Sequence, residues 1–379
     1  MTRNTIPKAR IPNFRRPVAR TRIHPRSVLI LAALLLLPAA VLAQDEDHQP
    51  FLPSPVQSVS TVPANGDVNP YGVAFVPPQF PKGGAANSGD ILVSNFNAAS
   101  NLQGTGTTIV DIPAAGGTAS LFFQSSTPAG LTTALNILRK GFVLVGNFPS
   151  PDGTCQNSTA GSIIVINKSG KQLGTIADSS IDGPWDSALF DEGNSAKFFV
   201  ANGLNGTVVR LDLKVSSSGV SVERETQIAS GYLHQCDPVT FVDAPTGLVY
   251  DAQKDVLYVA SSADNAVFAI SNASSTEKDH GTGRLIYSDN AHLHGPLGMI
   301  MAPNGHLVVA NNDSINPDPN QPSELVEFTV GGKFVKEISV DPNFGGSFGL
   351  AVMTHRDTAR FAAVDDNVPV LLIWTLPLE

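Results

Sequence analysis

The chain has 379 residues, 42% of them hydrophobic and 15% charged, and a formal net charge of −9. An acidic surface repels phosphate backbones, which argues against a nucleic-acid partner. Length alone allows two domains, although repeat folds often exceed the usual single-domain size.

Residues 1–27 carry eight basic residues (Arg3, Lys8, Arg10, Arg15, Arg16, Arg20, Arg22 and Arg26) and no acidic one. An apolar run over 28–43 follows, ending in Val41-Leu42-Ala43 before Gln44. A basic stretch, a short apolar stretch and small residues at the junction describe a cleavable signal peptide over 1–43. The competing reading is an uncleaved membrane anchor. With the eight leader bases removed from 24, 16 remain against 33 acids, a net charge of −17. No later segment reaches 18 consecutive apolar residues, so the expected product is a periplasmic or secreted monomer with no membrane attachment after cleavage. It comprises an extension over 44–55 and one domain over 56–379.

That domain repeats. A Pro-x-Gly signature opens an apolar stretch at Pro70-Tyr71-Gly72, Pro128-Ala129-Gly130, Pro245-Thr246-Gly247 and Pro296-Leu297-Gly298. Variant copies stand at Pro184-Trp185-Asp186 and Ser347-Phe348-Gly349. Each start is followed by a run rich in Val, Ile and Phe that ends in a small polar residue: Asn95, Asn147, Asn202, Ser261, Asn311 and Asp365. Short β-branched runs bounded by Gly, Asn and Asp are strand grammar. Two further strand-like runs complete each copy, as at 162–166 and 172–176. Four antiparallel strands per repeat make a propeller blade, and six copies predict an all-β, six-bladed β-propeller. The sixth copy has room for three strands only, so the run over 56–62 is expected to close the last blade as its outer strand.

Gly295-Pro296-Leu297-Gly298, followed by Leu307-Val308-Val309-Ala310-Asn311, resembles an NHL repeat, and 244–260 resembles it too. The likeness covers about residues 56–376 and speaks to architecture, since propellers host hydrolases, lyases and docking platforms alike. The senescence-marker and gluconolactonase propellers are a more distant resemblance. It implies a metal held by Asn and acidic residues near the channel mouth. Asn69-Pro70-Tyr71 stands where that family has a glutamate, which weakens a lactonase reading.

In a four-stranded meander, the loop between the second and third strands and the crossing into the next blade share one face. Cys155 and Cys236 both fall there, and in an exported chain a disulfide is expected. The strand-end residues Asn147, Asn202, Asn311 and Asp365, with Asp186, are candidate ligands for a hard cation such as Ca²⁺. The alternative is that these side chains bind backbone groups of their own loops. Asp186 replaces the repeat glycine and, with His234, His292 and His294, is a candidate catalytic group. Tyr71, Trp185 and Phe348 occupy one repeat position and form either a ligand rim or inner-strand packing. Gly345-Gly346-Ser347-Phe348-Gly349 imitates a nucleophile elbow but opens a strand, so it is the sixth repeat start. Two functions remain open at this point. One is an exported propeller that binds a small molecule or a protein on its loop-rich face. The other is a metal-dependent hydrolase, lactonase or lyase at the channel mouth.

Overall fold

A computed structural model describes residues 50–52 and 57–378. The leader expected over 1–43 and most of the 44–55 extension lie outside the described residues. Six four-stranded antiparallel sheets and one two-stranded hairpin account for the strands described. Blade 1 is Val68–Phe75, Ile91–Asn97, Thr108–Ile112 and Ser120–Gln124. Blade 2 is Leu131–Leu138, Phe142–Asn147, Ser162–Asn167 and Gln172–Ile176. Blade 3 is Pro184–Asp191, Ser195–Asn202, Thr207–Val215 and Val220–Ala229. Blade 4 is Pro245–Asp251, Val256–Ser261, Ala266–Ser271 and Arg284–Tyr287. Blade 5 is Pro296–Met301, Leu307–Asn311, Glu324–Phe328 and Phe334–Ser339.

Blade 6 takes Ser347–His355, Thr358–Asp365 and Val370–Pro377 from the end of the chain and Gln57–Ser60 from its beginning. Gln57 lies opposite Ile373 and Ser60 opposite Val370, so the two ends share one sheet, as the repeat count required. The segment just before this strand is held as well. Leu52 is buried against blades 5 and 6, and the backbone N–H groups of Phe51 and Leu52 donate to the buried Glu327 carboxylate.

Neighbouring blades cover each other's faces with apolar side chains. Leu144 and Ile163 of blade 2, for instance, meet Phe198 and Val209 of blade 3. Around the axis the inner strands approach backbone to backbone. A Cβ at Gly247 would overlap the Leu297 carbonyl of blade 5. One at Gly298 would overlap Phe348 of blade 6, and one at Gly349 would overlap Tyr71 of blade 1. The repeat glycine is therefore a packing requirement of the ring.

Every inner strand also bulges just after its start. The register corrects one sequence assignment. Leu131 lies opposite Asn147, as Pro70 lies opposite Asn95 and Pro184 opposite Asn202. The second repeat thus starts at Leu131, not at Pro128, and Gly130 stays in the preceding crossing with a φ of +57°. A chance Pro-Ala-Gly three residues upstream of the strand imitated the signature.

Candidate functional site

All six inner strands start on one face, so that face carries six crossings into blades and six loops between second and third strands. These twelve segments are 61–67, 98–107, 125–130, 148–161, 177–183, 203–206, 230–244, 262–265, 288–295, 312–323, 340–346 and 366–369. They contain twelve aspartates and not one lysine or arginine. By contrast, nine of the 16 basic residues after the leader (Lys82, Arg139, Lys140, Lys168, Lys171, Lys254, Lys278, Lys333 and Arg356) sit in loops of the opposite face. Many of the aspartates cap their own turns: Asp152 accepts from Thr154, Asp237 from Val239 and Thr240, and Asp289 from Ala291 and His292. Turn chemistry explains why aspartate is common there. It does not explain why cations are missing.

The crossing over 230–244 is the longest of the twelve and folds back as the hairpin Gln235–Asp237/Phe241–Asp243. Cys236 in this hairpin is bonded to Cys155 in the second-to-third-strand loop of blade 2, with the Cα atoms 5.4 Å apart. The expected disulfide is thus formed. It fixes the hairpin over the axis, where Phe241 points inward with a φ of +70°, an uncommon conformation for an aromatic residue. Phe241 completes a stack of rings. Tyr71 stacks on Phe96 and Phe348 at 4.8 and 4.5 Å between centroids, while Trp185 meets Tyr71 edge-on and lies parallel to Phe241 at 6.1 Å. Phe148 closes the group against Trp185 and Phe241. Trp185 is 1% exposed and Phe348 9%, so the three strand-start aromatics form a plug in the channel, not an open rim.

Below the plug, a cavity of about 640 Å³ runs along the axis between the inner strands. Asp186 is in its wall. Its carboxylate accepts the Ser187 N–H at 2.6 Å. Burial pushes this carboxyl well above the ordinary range, against the opposing pull of the Ser187 and Leu248 N–H groups.

The remaining candidates are not brought together. Each strand-end asparagine ties down the crossing that enters a blade. Asn95 donates to Thr61 O, Asn147 to Ala129 O, Asn202 to Ser180 O and Asn311 to His292 O. Asp365 accepts from Asn367 in its own turn, and burial, then Asp341, pushes it up to about 6. These donors spread around the rim while aromatic rings occupy the centre, so the residues present do not fit a Ca²⁺ ion at the central mouth. Among the described residues, no three of His, Cys, Asp and Glu are grouped to hold a metal. The histidines have separate neighbours. His234 is bonded to Tyr232 O, His292 stacks on Phe334 and bonds Glu337, and buried His294 lies 3.7 Å from Glu324.

Sequence reading missed two features of this face. The first is the pair Asp313 and Glu324. Asp313 accepts from Ser323 and Gly345, and burial and the Asp313 charge push Glu324 up to about 8. The start of the third strand is Thr108, Ser162 or Thr207 in blades 1 to 3, so the glutamate was visible as a departure. The second is Phe241, whose signal was an apolar Phe-Val inside the longest crossing, five residues after Cys236. Among the described residues, no helix is long and apolar enough to cross a membrane.

No family model and no curated protein matches the chain. Among solved structures, it is similar to a putative oxidoreductase (glucose dehydrogenase) from Thermus thermophilus at 12% identity and a TM-score of 0.51, over 84% of this chain and 99% of that one. A glucose dehydrogenase matches at 13% identity and a TM-score of 0.50, over 86% of this chain and 99% of that one. The calcium-binding protein regucalcin from Agrobacterium tumefaciens strain C58 matches at 12% identity and a TM-score of 0.49, over 85% and 97%. At such identities the first two likenesses speak to fold alone, and the fold is a six-bladed β-propeller of four-stranded antiparallel blades.

Proposed function

We propose that this chain is an exported docking propeller whose loop-rich face receives a cationic protein segment with apolar anchors. The observation that carries the reading is the absence of lysine and arginine from all twelve loops of that face. A single-signed face attracts an opposite partner, speeds encounter and turns away anionic ones.

Exposed apolar side chains add the contact area that charge alone does not supply. Val62, Leu102, Leu233, Val239, Phe344 and Val368 are exposed on this face, with Val239 at 77%. Val239 sits at the tip of the disulfide-held hairpin, and its carbonyl accepts from Gln103 beside Leu102. A rigid hairpin that holds an apolar tip in water costs solubility unless something covers it.

The test is fluorescence anisotropy with a labelled peptide of alternating lysine and leucine, with the footprint read by hydrogen exchange. Binding should weaken at least tenfold between about 50 and 300 mM salt as the charges are screened. Protection should fall on 98–107 and 230–244. Replacing Asp152, Asp264 and Asp318 by Asn together should cost a further tenfold, and Val239→Ser about threefold. Unchanged affinity in the triple variant, or a footprint on the opposite face, refutes the proposal.

A further inference from the structure

The axial cavity belongs to none of this. It opens on the face opposite the loops, where the inner strands end near Phe75, Arg139, Asp191 and Tyr250, and at its other end it is lined by Asp186 and Gly349, which directly follow the plug residues Trp185 and Phe348 in the chain. Its volume, about 640 Å³, is that of an ordinary small-molecule pocket.

Two features of its wall stand out. The chain has four methionines, and the three beyond Met1 (Met299, Met301 and Met353) all line this cavity. Methionine is flexible and polarisable, and a wall of it adapts to apolar guests of varied shape. Leu135 and Leu248 add aliphatic groups to the same wall. The second feature is Asp186. Four blades carry glycine at this repeat position (Gly72, Gly247, Gly298 and Gly349), because a Cβ there would press on the next blade. Blade 3 instead places a carboxyl in the wall, 7% exposed, in a stretch that also holds Thr133, Asn136 and Ser187. Its partners are the Ser187 N–H of its own strand and the Leu248 N–H of blade 4. The ion pair of Arg139 with Asp191, at 3.1 Å, stands at the open mouth and leaves the depth without a second charge.

We propose that this channel is a binding site for an uncharged, largely apolar molecule carrying one hydroxyl or carbonyl group, with Asp186 as the hydrogen-bonding partner at its depth. An uncharged ligand follows from the walls: a carboxylate meets no cation below the mouth, and an ammonium would have to ionise a carboxyl that burial favours in its neutral form. A single polar group follows from Asp186, because Thr133 and Ser187, which line the same depth, are already bonded to Trp185 O and to the Asn136 amide. A carboxyl in its neutral form both donates and accepts, so it suits an alcohol or a carbonyl equally.

The experiment uses the neutral fluorophore N-phenyl-1-naphthylamine on the full protein, with displacement by 1-decanol, decane and decylammonium. The dye should brighten saturably at one site per chain. Decanol should displace it at least fivefold more effectively than decane, and decylammonium least well. Ala351→Trp, which fills the channel from blade 6, should abolish binding while leaving the circular dichroism unchanged. Asp186→Asn should keep the preference for decanol, whereas Asp186→Leu should remove it without removing dye binding. Absence of saturable binding by the wild-type protein overturns the site, and so does equal binding by Ala351→Trp. A preference for decylammonium overturns the ligand class. None of these readouts involves the loop-rich face, so this site and the docking face stand or fall separately.

Discussion

The two ends of the central channel are built from the same six strands and have opposite characters. At the starts of the inner strands, Tyr71, Trp185 and Phe348 turn inward and meet Phe96, Phe148 and Phe241 in a packed plug. At the ends of those strands the wall is made of shorter or flexible groups, among them Met301, Val352 and Met353, and the channel stays open. A repeat position occupied by an aromatic in three blades is enough to close one mouth. The plug fills the space between the loops above it and lies directly beyond the depth of the cavity. The two proposed sites, on the loops and in the cavity, therefore lie on opposite sides of the plug.

The strongest way to break this comparison is to remove the plug's centre. Trp185→Ala deletes a fully buried indole that touches four other rings, and truncations of this kind cost about 3–5 kcal/mol. Urea unfolding should show the midpoint falling with the slope retained. A loss below about 1 kcal/mol would mean that the rings relax around the gap and that the plug is not a tight seal.

The disulfide is the second lever, because it alone joins the plugging hairpin to blade 2 by a covalent bond. The two cysteines are 81 residues apart in sequence. In the chain-entropy view, closing so long a loop stabilises by about 4 kcal/mol, with native strain reducing the figure. Cys155→Ser with Cys236→Ser should therefore lower the thermal midpoint by a somewhat smaller amount than Trp185→Ala. It should also raise hydrogen exchange first in 230–244. Uniform loosening of all blades instead would show that the staple acts on the ring as a whole.

How much of this contrast the sequence revealed depends on periodicity. Strand grammar repeats, so the six blades and the shared sixth sheet were legible from Val-, Ile- and Phe-rich runs and from the missing fourth strand after Val370. The disulfide followed from loop topology. What did not repeat was hidden. Phe241 belongs to an insertion with no counterpart in other blades, and its inward direction depends on a φ that no pattern announces. Tyr71, Trp185 and Phe348 were visible as a set, but whether they line or fill a mouth depends on the distance across the ring. The same limit applies to the asparagines. A strand-end amide that binds a crossing carbonyl and one that faces a cation look alike in a one-dimensional pattern, and Asn202 and Asn311 turn out to bind backbone. Asp186 stood out because it broke a rule that the glycines obey.

The subtlest test asks whether the channel floor is dry. Burial raises the Asp186 carboxyl well above its ordinary value, so the folded chain holds a proton that the unfolded chain releases at about pH 4. Below that pH both states are protonated and the side chain's contribution to stability is fully present. As pH rises, the unfolded state gains by ionising while the folded state does not, and the contribution is lost up to the raised folded value. Asp186→Asn keeps the shape and cannot ionise. The stability of this variant relative to wild type should therefore grow as pH climbs from about 4, by about 1.4 kcal/mol for each unit over which only the unfolded carboxyl is ionised. Asp111 and Asp366, both pushed up to about 7 chiefly by burial, impose the same trend on both proteins, so only the difference between them carries information. A difference that stays flat from pH 4 to 8 would place Asp186 in contact with bulk water. The aromatic rings would then not be the floor of the channel, and the contrast between its two ends would fail at the residue where they meet.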